Sequence, residues 1–300
     1  MAFFFLAFTL TSLSYLCSRW YVEKESFAYR LIFYIMNVEK KKIESVFFDI
    51  DGTLVSFKTH QVPQSTKRAI KELRANGVKV FVATGRMLSM LEVLSDIEFD
   101  GYITYNGGCC VDGNLNEIFS HPIPVEQLKA LEEYLKKEHF PVSYMRKDGM
   151  YVNELAQIVR NVAEHVNVEP PVVMDPAEVV KEPVYQLCIY LEDDDKLQYV
   201  LKDVLTDCIS NRWISWFADV NVRGVTKQLG IDKILDHFGL PLETSMAFGD
   251  AGNDIPMIKH AAVGVAMGNA SEEVKDIADY VTDTVDDDGV YKALKHYGAL

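Results

Sequence analysis

The feature that most constrains the fold of this chain is a repeated alternation of short apolar runs with amphipathic stretches. Short apolar runs that end at Gly, Asn, Asp or Thr are typical of buried strands, and the stretches between them have helical spacing. Strands that alternate with helices over short connections predict an α/β fold with a parallel sheet. The apolar runs are residues 46–50, 78–83, 102–105, 246–248 and 263–266.

The alternation is interrupted by a block of different character. A Pro-containing linker at residues 121–124 opens a mixture of strand-like and helix-like segments of about one hundred residues, an ordinary domain size. We therefore expect one sheet domain that is split by an inserted α+β domain. The predicted division is residues 44–119 and 217–300 for the sheet domain, 120–216 for the insertion and 1–43 for an N-terminal extension.

Two element predictions follow from the same patterns. Residues 87–94 have the composition of a helix between the second and third apolar runs. Residues 213–217 are predicted to form the strand that closes the insertion.

The charge of the chain limits its partners. Thirty Lys and Arg residues against 44 Asp and Glu residues give a net charge of −14. A field of this sign repels nucleic acid, and a site for any anionic substrate must carry its own positive charge. The five cysteines show no metal-binding spacing, which predicts buried reduced thiols and a cytoplasmic location.

The N-terminal segment allows three interpretations. Residues 1–17 are apolar and aromatic, are interrupted by Ser and Thr, and precede the first basic residue, Arg19. The natural chain could begin at Met36, residues 1–17 could anchor the protein in a membrane, or the segment could be a cleaved secretory signal.

The strongest motif is Asp49-Ile50-Asp51-Gly52-Thr53, at the end of the first apolar run. Side chains two positions apart on a strand share a face, so Asp49 and Asp51 are expected to point the same way. Two neighbouring carboxylates are costly unless a cation neutralises them or one of them holds a proton. Gly52 lets the chain turn sharply there. The motif therefore predicts a functional site, in preference to a surface turn.

Two further segments supply groups that can bind anions. Thr84-Gly85-Arg86 follows the second apolar run, where a hydroxyl and backbone N–H groups before a helix form an anion cradle. Lys227 lies in the first turn of a predicted helix, a position that opposes the helix dipole. Taken singly, these segments could also be an ordinary turn and a surface lysine.

A fourth motif, Gly-Asp-Ala-Gly-Asn-Asp at residues 249–254, follows a later apolar run. Asp250 adds a carboxylate suited to a hard cation, whereas Asn253 and Asp254 could also cap the next helix. Asn106, in a Tyr-Asn-Gly-Gly turn, either faces the substrate or closes that turn. All of these motifs lie at the carboxyl ends of predicted strands, where ligand sites form in α/β sheets.

In this order and context, the motifs resemble the haloacid dehalogenase superfamily of phosphohydrolases. The insertion between the Thr84 and Lys227 motifs resembles that of its Cof-type (type IIB) sugar-phosphate phosphatases. The resemblance extends from about Ser45 to the C-terminus and implies a Rossmann-like parallel-sheet core with an inserted α+β cap domain. Gln228 follows the lysine where many relatives have Gly, which leaves the ammonium group unaffected.

The resemblance implies a role for each motif. Asp49 would attack phosphorus and form an aspartyl-phosphate, while Asp51 would protonate the leaving alkoxide and later accept a proton from water. Thr84 and Lys227 would complete the catalytic group. The phosphate-binding residues would be Thr84, Gly85, Lys227 and Asn253. The supporting residues would be Gly52, Arg86, Asn106 and Asp254.

The implied cofactor is Mg²⁺, held by the Asp49 carboxylate, the Asp51 backbone carbonyl and Asp250. The implied substrate is a small phosphorylated metabolite, a hexose or pentose phosphate. No protein partner is implied, and a membrane is implied only if residues 1–17 form an anchor. A phosphomutase and a non-catalytic sensor of sugar phosphates remain alternatives.

Substrate specificity is expected in the inserted domain. The candidate sugar contacts, chosen on residue type, are Tyr144, Arg146, Arg212 and Trp213.

Overall fold

The structure is a computed structural model that describes residues 42–166 and 168–300, apart from the side chain of Trp213. The interpretations of residues 1–17 concern a segment outside the described residues. In chain order the strands are β1 (Ser45–Phe48), β2 (Lys79–Ala83), β3 (Gly101–Thr104), β4 (Cys109–Asp112), β5 (Glu117–Ser120), β6 (Val142–Arg146), β7 (Gly149–Val152), β8 (Val172–Val173), β9 (Gln186–Ile189), β10 (Cys208–Ile214), β11 (Phe217–Val222), β12 (Ser245–Gly249), β13 (Val263–Ala266) and β14 (Tyr280–Val281).

The helices connect these strands and cover the sheets. In chain order they are α1 (Gln64–Ala75), α2 (Val125–Leu135), α3 (Gln157–His165), α4 (Pro176–Val179), α5 (Asp194–Asp203), α6 (Lys227–Phe238), α7 (Ile255–His260), α8 (Glu272–Ile277) and α9 (Gly289–Tyr297). Within the described ranges, no helix combines the length and the apolar character needed to cross a membrane.

The larger sheet has eight strands in the spatial order β14-β13-β12-β1-β2-β3-β4-β5. From β1 the chain adds β2 and β3 on one side, and it later adds β12, β13 and β14 on the other. Because the winding reverses between β1 and β12, a crevice opens outside the carboxyl ends of these two strands. Phe48 pairs with Phe248 in this parallel register, so Asp49 lies beside the start of the 249–254 motif.

The sheet has the parallel core that the sequence predicted, because β14, β13, β12, β1, β2 and β3 all pair parallel, and it becomes mixed only beyond β3. β3, β4 and β5 pair antiparallel at one edge. The chain reverses after β3 in a tight turn in which Tyr105 and Asn106 have φ values of 51° and 54°. A connection this short cannot make the crossover that parallel strands need, so β4 runs back along β3.

The predicted helix over residues 87–94 is wrong. Two short 3₁₀ turns, Leu88–Met90 and Glu92–Leu94, stand there instead. The Arg86 guanidinium donates a hydrogen bond to the Met90 carbonyl oxygen at 3.1 Å. In an α-helix that carbonyl would accept from the N–H of Leu94, which instead donates to Leu91.

Both faces of the larger sheet are covered by helices. Val46 and Phe48 of β1 belong to an apolar cluster with α1 and α9, while Phe47 belongs to a cluster with α6, α7 and α8. A strand buried on both faces reads as a continuous apolar run, which is why β1 could be recognised in the sequence.

The smaller sheet has six strands in the order β10-β11-β9-β6-β7-β8. β11 pairs antiparallel with both β10 and β9, so a domain boundary at residue 217 would cut through this sheet. The predicted strand over 213–217 is wrong, because the chain turns at Ser215 and Trp216 between β10 and β11.

The turn after β3 makes a close approach that can be tested. Gly107 has φ +106°, and an added Cβ would lie 2.1 Å from the Thr226 carbonyl oxygen. Gly77 also has a positive φ (+82°), but no atom lies within 4 Å of its added Cβ. In urea unfolding we expect Gly77→Ala to cost about 1 kcal/mol and Gly107→Ala more than about 3 kcal/mol. Equal losses would contradict a tight contact between this turn and the start of α6.

Candidate active site

Two carboxylates meet where β1 and β12 end. The Asp49 N–H donates to the Phe248 carbonyl oxygen at 3.0 Å, which fixes Asp49 beside the last residues of β12. Gly52 has φ +81°, and a Cβ there would lie 2.2 Å from Oδ2 of Asp250. The glycine is therefore required both by its backbone conformation and by the approach of the Asp250 carboxylate.

Lys227 is held between two carboxylates beneath this crevice. Its Nζ lies 2.5 Å from Asp49 Oδ1 and 2.6 Å from Asp254 Oδ1, and its side chain is completely buried. Burial lowers the pKa of Lys227, but the charges of Asp254 and Asp49 outweigh this effect and raise it. The lysine begins α6 as the sequence predicted, after Thr226, whose hydroxyl accepts from the Leu229 N–H at 3.3 Å.

Asp254 positions the loop after β12. While Oδ1 accepts from Lys227, Oδ2 accepts the backbone N–H groups of Asp250 and Ala251, both at 2.9 Å. The side chain makes no capping hydrogen bond to α7, but its bond to the Ala251 N–H caps the 3₁₀ turn Gly252–Asp254 that precedes this helix. Both Asp254 oxygens are thus engaged in holding the site together.

The acidic residues here could hold a metal ion. Carboxylate oxygens of Asp49, Asp250 and Asp254 lie within 4.8 Å of one another. Burial, together with nearby carboxylates, raises the pKa of Asp49 to about 7, even though Lys227 opposes the shift. Burial and the charges of Asp49 and Asp254 raise the pKa of Asp250 to about 9. The cluster is therefore short of positive charge, and two of its members, Asp49 and Asp250, fit a divalent cation.

Asn269 is a site residue that the sequence analysis missed. Its Nδ2 donates to the Gly52 carbonyl oxygen at 2.8 Å and to Asp250 Oδ2 at 3.3 Å. Its Oδ1 accepts from the Val285 N–H at 3.0 Å. The residue comes just after β13, so the reasoning applied to the other strand ends could have found it.

Asp51 has a different partner from Asp49. The Arg86 guanidinium donates Nε to Asp51 Oδ2 at 2.9 Å and Nη2 to Oδ1 at 2.7 Å. This two-point pairing fixes both oxygens of the carboxylate at the cavity. The two aspartates of the motif are therefore held separately, one by Arg86 and the other by Lys227.

Thr84 and Gly85 form the edge of the site at the end of β2. The Thr84 hydroxyl accepts from the Arg86 N–H at 3.1 Å and still carries a proton that it can donate. A Cβ on Gly85 would lie 3.1 Å from Nδ2 of Asn106, so the loop packs directly against that amide.

Asn106 joins the two sheets. Its Oδ1 accepts from Asn253 Nδ2 at 3.0 Å, and its own Nδ2 donates to Gln186 Oε1 at 2.9 Å and to Asp219 Oδ2 at 3.4 Å. Neither expected role, facing substrate or closing the turn, included this link. Its partners in the smaller sheet are 80 and 113 residues away in the chain, so local sequence could not reveal them.

A cavity of about 760 Å³ lies between the strand ends and the smaller sheet. Predicted site residues that line it are Asp49, Asp51, Thr84, Gly85, Arg86, Asp250 and Asn253. From the smaller sheet the polar lining residues are Gln186, Cys188, Arg212 and Asp219. Lys227 is fully buried and does not line the cavity itself; it contacts Asp49, which does.

The candidate sugar contacts are only partly brought to this cavity. Arg212 lines it. Tyr144 is fully buried in the apolar cluster on the opposite face of the smaller sheet, so its selection was wrong. Arg146 was also wrong, because its guanidinium is occupied by Asp148 and by the Val179 carbonyl oxygen. The side chain of Trp213 lies outside the described part.

Comparisons with known proteins agree with this geometry. Residues 46–294 match the family of haloacid dehalogenase-like hydrolases. YkrA of Bacillus subtilis (strain 168), which carries the name of a phosphatase, is 32% identical over 258 residues, covering 85% of this chain and 98% of YkrA. The matched range contains every predicted site residue.

Two solved structures are also similar. BT1666 from Bacteroides thetaiotaomicron, described among phosphatases of the HAD superfamily, is 39% identical with a TM-score of 0.81, covering 88% of this chain and 98% of that one. BT4131, described as a HAD subclass IIB sugar phosphatase, is 40% identical with a TM-score of 0.79, covering 86% of this chain and all of that one.

The buried lysine should dominate the stability of the site. Lys227→Met leaves Asp49 and Asp254 without their cation, so we expect the free energy of unfolding to fall by about 3–5 kcal/mol in urea titrations with EDTA. Lys233→Met is the matched control on α6, because its ammonium lies over the Phe119 ring at 5.4 Å rather than between two buried carboxylates. The control should cost less than about 1 kcal/mol. Similar losses for both variants would contradict a central role for Lys227.

Proposed function

The chain is a member of the haloacid dehalogenase-like hydrolase family and a phosphatase, and we propose that it hydrolyses small sugar phosphates through an aspartyl-phosphate on Asp49. The carrying observation is the convergence of two carboxylates, a buried ammonium and an anion-binding loop at the switch point of the larger sheet. This set supplies a nucleophile, a proton carrier and positive charge around one cavity, which are the requirements of phosphoryl transfer.

In the proposed reaction, an Asp49 carboxylate oxygen attacks phosphorus. The bond from phosphorus to the sugar oxygen breaks, its electron pair stays on that oxygen, and Asp51 donates a proton to it. Water then attacks phosphorus, Asp51 takes up a proton from the water, and the bond to Asp49 breaks to release phosphate. Because Lys227 holds Oδ1 of Asp49, Oδ2 is the attacking oxygen in this proposal.

Arg86 is proposed as a positioning residue for Asp51. Its two parallel hydrogen bonds engage both oxygens of the carboxylate. To act as the acid, Asp51 must carry a proton on one oxygen, so one of these hydrogen bonds must open before the sugar oxygen is protonated. The pairing thus aims the carboxylate at the cavity and links its protonation to a small movement of Arg86.

The phosphoryl oxygens are proposed to bind the Thr84 hydroxyl, the Gly85 N–H and the Asn253 amide, which line the cavity beside Asp49. Lys227 contributes its charge from below, through its contact with Asp49. Because the carboxylates of Asp49 and Asp254 offset this charge, the further positive charge that an anionic substrate needs is proposed to come from the metal ion.

A Mg²⁺ ion is the proposed cofactor, held by the Asp49 and Asp250 carboxylates and the Asp51 backbone carbonyl. The raised pKa values of Asp49 and Asp250 support this, because buried oxygen ligands short of positive charge suit a hard cation. When bound, the ion would neutralise charge on the transferred phosphoryl group.

The substrate class is supported by the description of BT4131 as a sugar phosphatase at 40% identity.

We propose that the cap domain consists of residues 121–222, because the six strands of the smaller sheet all lie in this range. The buried free thiols of the described cysteines support a cytoplasmic location.

The alternative activity is that of a phosphomutase, which would return the phosphoryl group to its product. Product analysis with a sugar 6-phosphate separates a phosphomutase from a phosphatase.

The nucleophile assignment predicts a specific loss. Asp49→Asn should lower kcat for phosphate release by about 10³-fold or more, because an amide is not a competent nucleophile, while the thermal unfolding profile persists. Asp195→Asn, at an exposed position in the first turn of α5, is the matched control and should leave kcat unchanged. Near-normal turnover by Asp49→Asn would refute the assignment.

Metal dependence is tested by removing divalent cations. EDTA should abolish phosphate release and Mg²⁺ should restore it, and Mg²⁺ added to the EDTA-treated protein should raise the melting temperature by mass action. Asp250→Asn removes a proposed ligand, so its melting temperature should no longer respond to Mg²⁺. Full activity in EDTA would contradict the proposed metal site. An increase in the melting temperature of Asp250→Asn with Mg²⁺ as large as that of the wild-type protein would contradict it as well.

A further inference from the structure

A buried carboxylate stands on the face of the smaller sheet that looks toward the cavity. Along β11, Ala218, Val220 and Val222 pack into the apolar cluster on the far face. Asp219 therefore points to the opposite side, since neighbours on a strand alternate. It lines the cavity yet is only 6% exposed. The alternation of apolar and polar residues in this strand is the sequence signal that could have found Asp219.

Among the residues that the structure describes, Asp219 has no strong hydrogen-bond donor. Cys188, its direct cross-strand neighbour, contributes a thiol whose Sγ lies 3.4 Å from Oδ1. The Asn106 amide contributes a donor 3.4 Å from Oδ2. A thiol is a weak donor, and a 3.4 Å N–H···O contact is longer than an ordinary hydrogen bond. Burial raises the pKa of Asp219 to about 6, against the effect of these two contacts.

Gln186 lies close to the same carboxylate and carries a donor with a weak partner. Both Gln186 Oε1 and Asp219 Oδ2 contact the one Nδ2 atom of Asn106. The Gln186 amide nitrogen donates only to the thioether sulfur of Met145, at 3.2 Å, in the hydrogen bonds recorded for the described residues. Because a thioether is a weak acceptor, this side chain can donate to a better one. The pair thus combines a strong acceptor with a neighbouring side chain that has an available donor.

The pair lies one side chain away from the proposed phosphate-binding loop. Asn106 packs against Gly85 on one side and contacts Gln186 and Asp219 on the other. A phosphate monoester seated at Gly85 would therefore extend its first carbon atoms along the pair. A hydroxyl both donates and accepts, so it matches the pair, whereas an ammonium group cannot accept from Gln186.

We propose that Asp219 and Gln186 form a hydroxyl-recognition pair that selects phosphate esters of hydroxylated carbon chains over unhydroxylated ones. A substrate hydroxyl donates to the Asp219 carboxylate and accepts from the Gln186 amide. This inference rests on the proposed phosphatase function and assigns the pair to substrate contact rather than to the chemical step. A site with such buried polar groups disfavours an analogue that leaves them unpaired.

The first test compares two substrates of equal carbon number with the wild-type protein and Mg²⁺. Sorbitol 6-phosphate should be hydrolysed with a kcat/KM about 10-fold or more above that of hexyl phosphate, the size expected for hydrogen bonds to a charged group. Equal values would overturn the recognition pair. Absence of hydrolysis of either substrate and of p-nitrophenyl phosphate would instead overturn the proposed phosphatase function.

The second test uses Asp219→Asn, which keeps the side-chain shape but removes the charge. We expect kcat/KM for sorbitol 6-phosphate to fall about 10- to 100-fold, mainly through KM, while the value for p-nitrophenyl phosphate changes by less than about 2-fold. Glu164→Gln is the matched control, because Glu164 is an exposed carboxylate on the same cavity. It should change neither value.

The selectivity of the effect separates substrate contact from a structural role. If Asp219→Asn lowered kcat/KM for sorbitol 6-phosphate and for p-nitrophenyl phosphate by the same factor, Asp219 would act on the fold or on the phosphoryl site. The proposal would then be overturned. An unchanged kcat/KM for sorbitol 6-phosphate in this variant would overturn it as well.

Discussion

The Lys227 ammonium between Asp49 and Asp254 is the interaction on which the rest of the site depends. It joins three segments distant in the chain: the end of β1, the start of α6 and the loop after β12. Buried charges are stable only when they are paired and hydrogen-bonded, so these three segments must meet for any of the three groups to be buried at low cost. Asp254 extends the constraint by binding the backbone N–H groups of Asp250 and Ala251. The Asp49 carboxylate is thus placed by the same contacts that stabilise the centre of the domain.

Close contacts at two glycines, together with this ion pair, position the segments of the site. Gly52 admits the Asp250 carboxylate, and Gly107 brings the turn after β3 against the residue that precedes Lys227. That turn also carries Asn106, which reaches the loop after β12 on one side and the smaller sheet on the other. The turn after β3 is further joined to the smaller sheet by Tyr105, whose carbonyl oxygen accepts from the Asn221 amide and whose hydroxyl donates to the Arg146 carbonyl oxygen. Several hydrogen bonds from this one turn therefore hold the smaller sheet over the strand ends.

The sequence predicted the site residues at the strand ends of the larger sheet better than those that the smaller sheet contributes to the cavity. Asp49 and Asp250 could be recognised because each follows a strand buried on both faces, and such strands read as continuous apolar runs. The partners of Asn106 could not, because cross-strand pairs such as Asp219 with Cys188 depend on a register that a single sequence does not specify. The helix expected over residues 87–94 failed for a related reason, since the Arg86 side chain takes a carbonyl that the helix would have used. Long-range contacts of side chains overrode local propensity at both places.

The central claim is that Asp49 forms a covalent bond to phosphorus during turnover. Reaction with a sugar phosphate, rapid quenching and borohydride reduction would convert an aspartyl-phosphate to homoserine, and mass spectrometry of the peptides would locate it. The account predicts homoserine at position 49, formed only when substrate is present and absent in the Asp49→Asn variant. Homoserine at another aspartate, or an unmodified Asp49 in protein quenched during steady turnover, would contradict it.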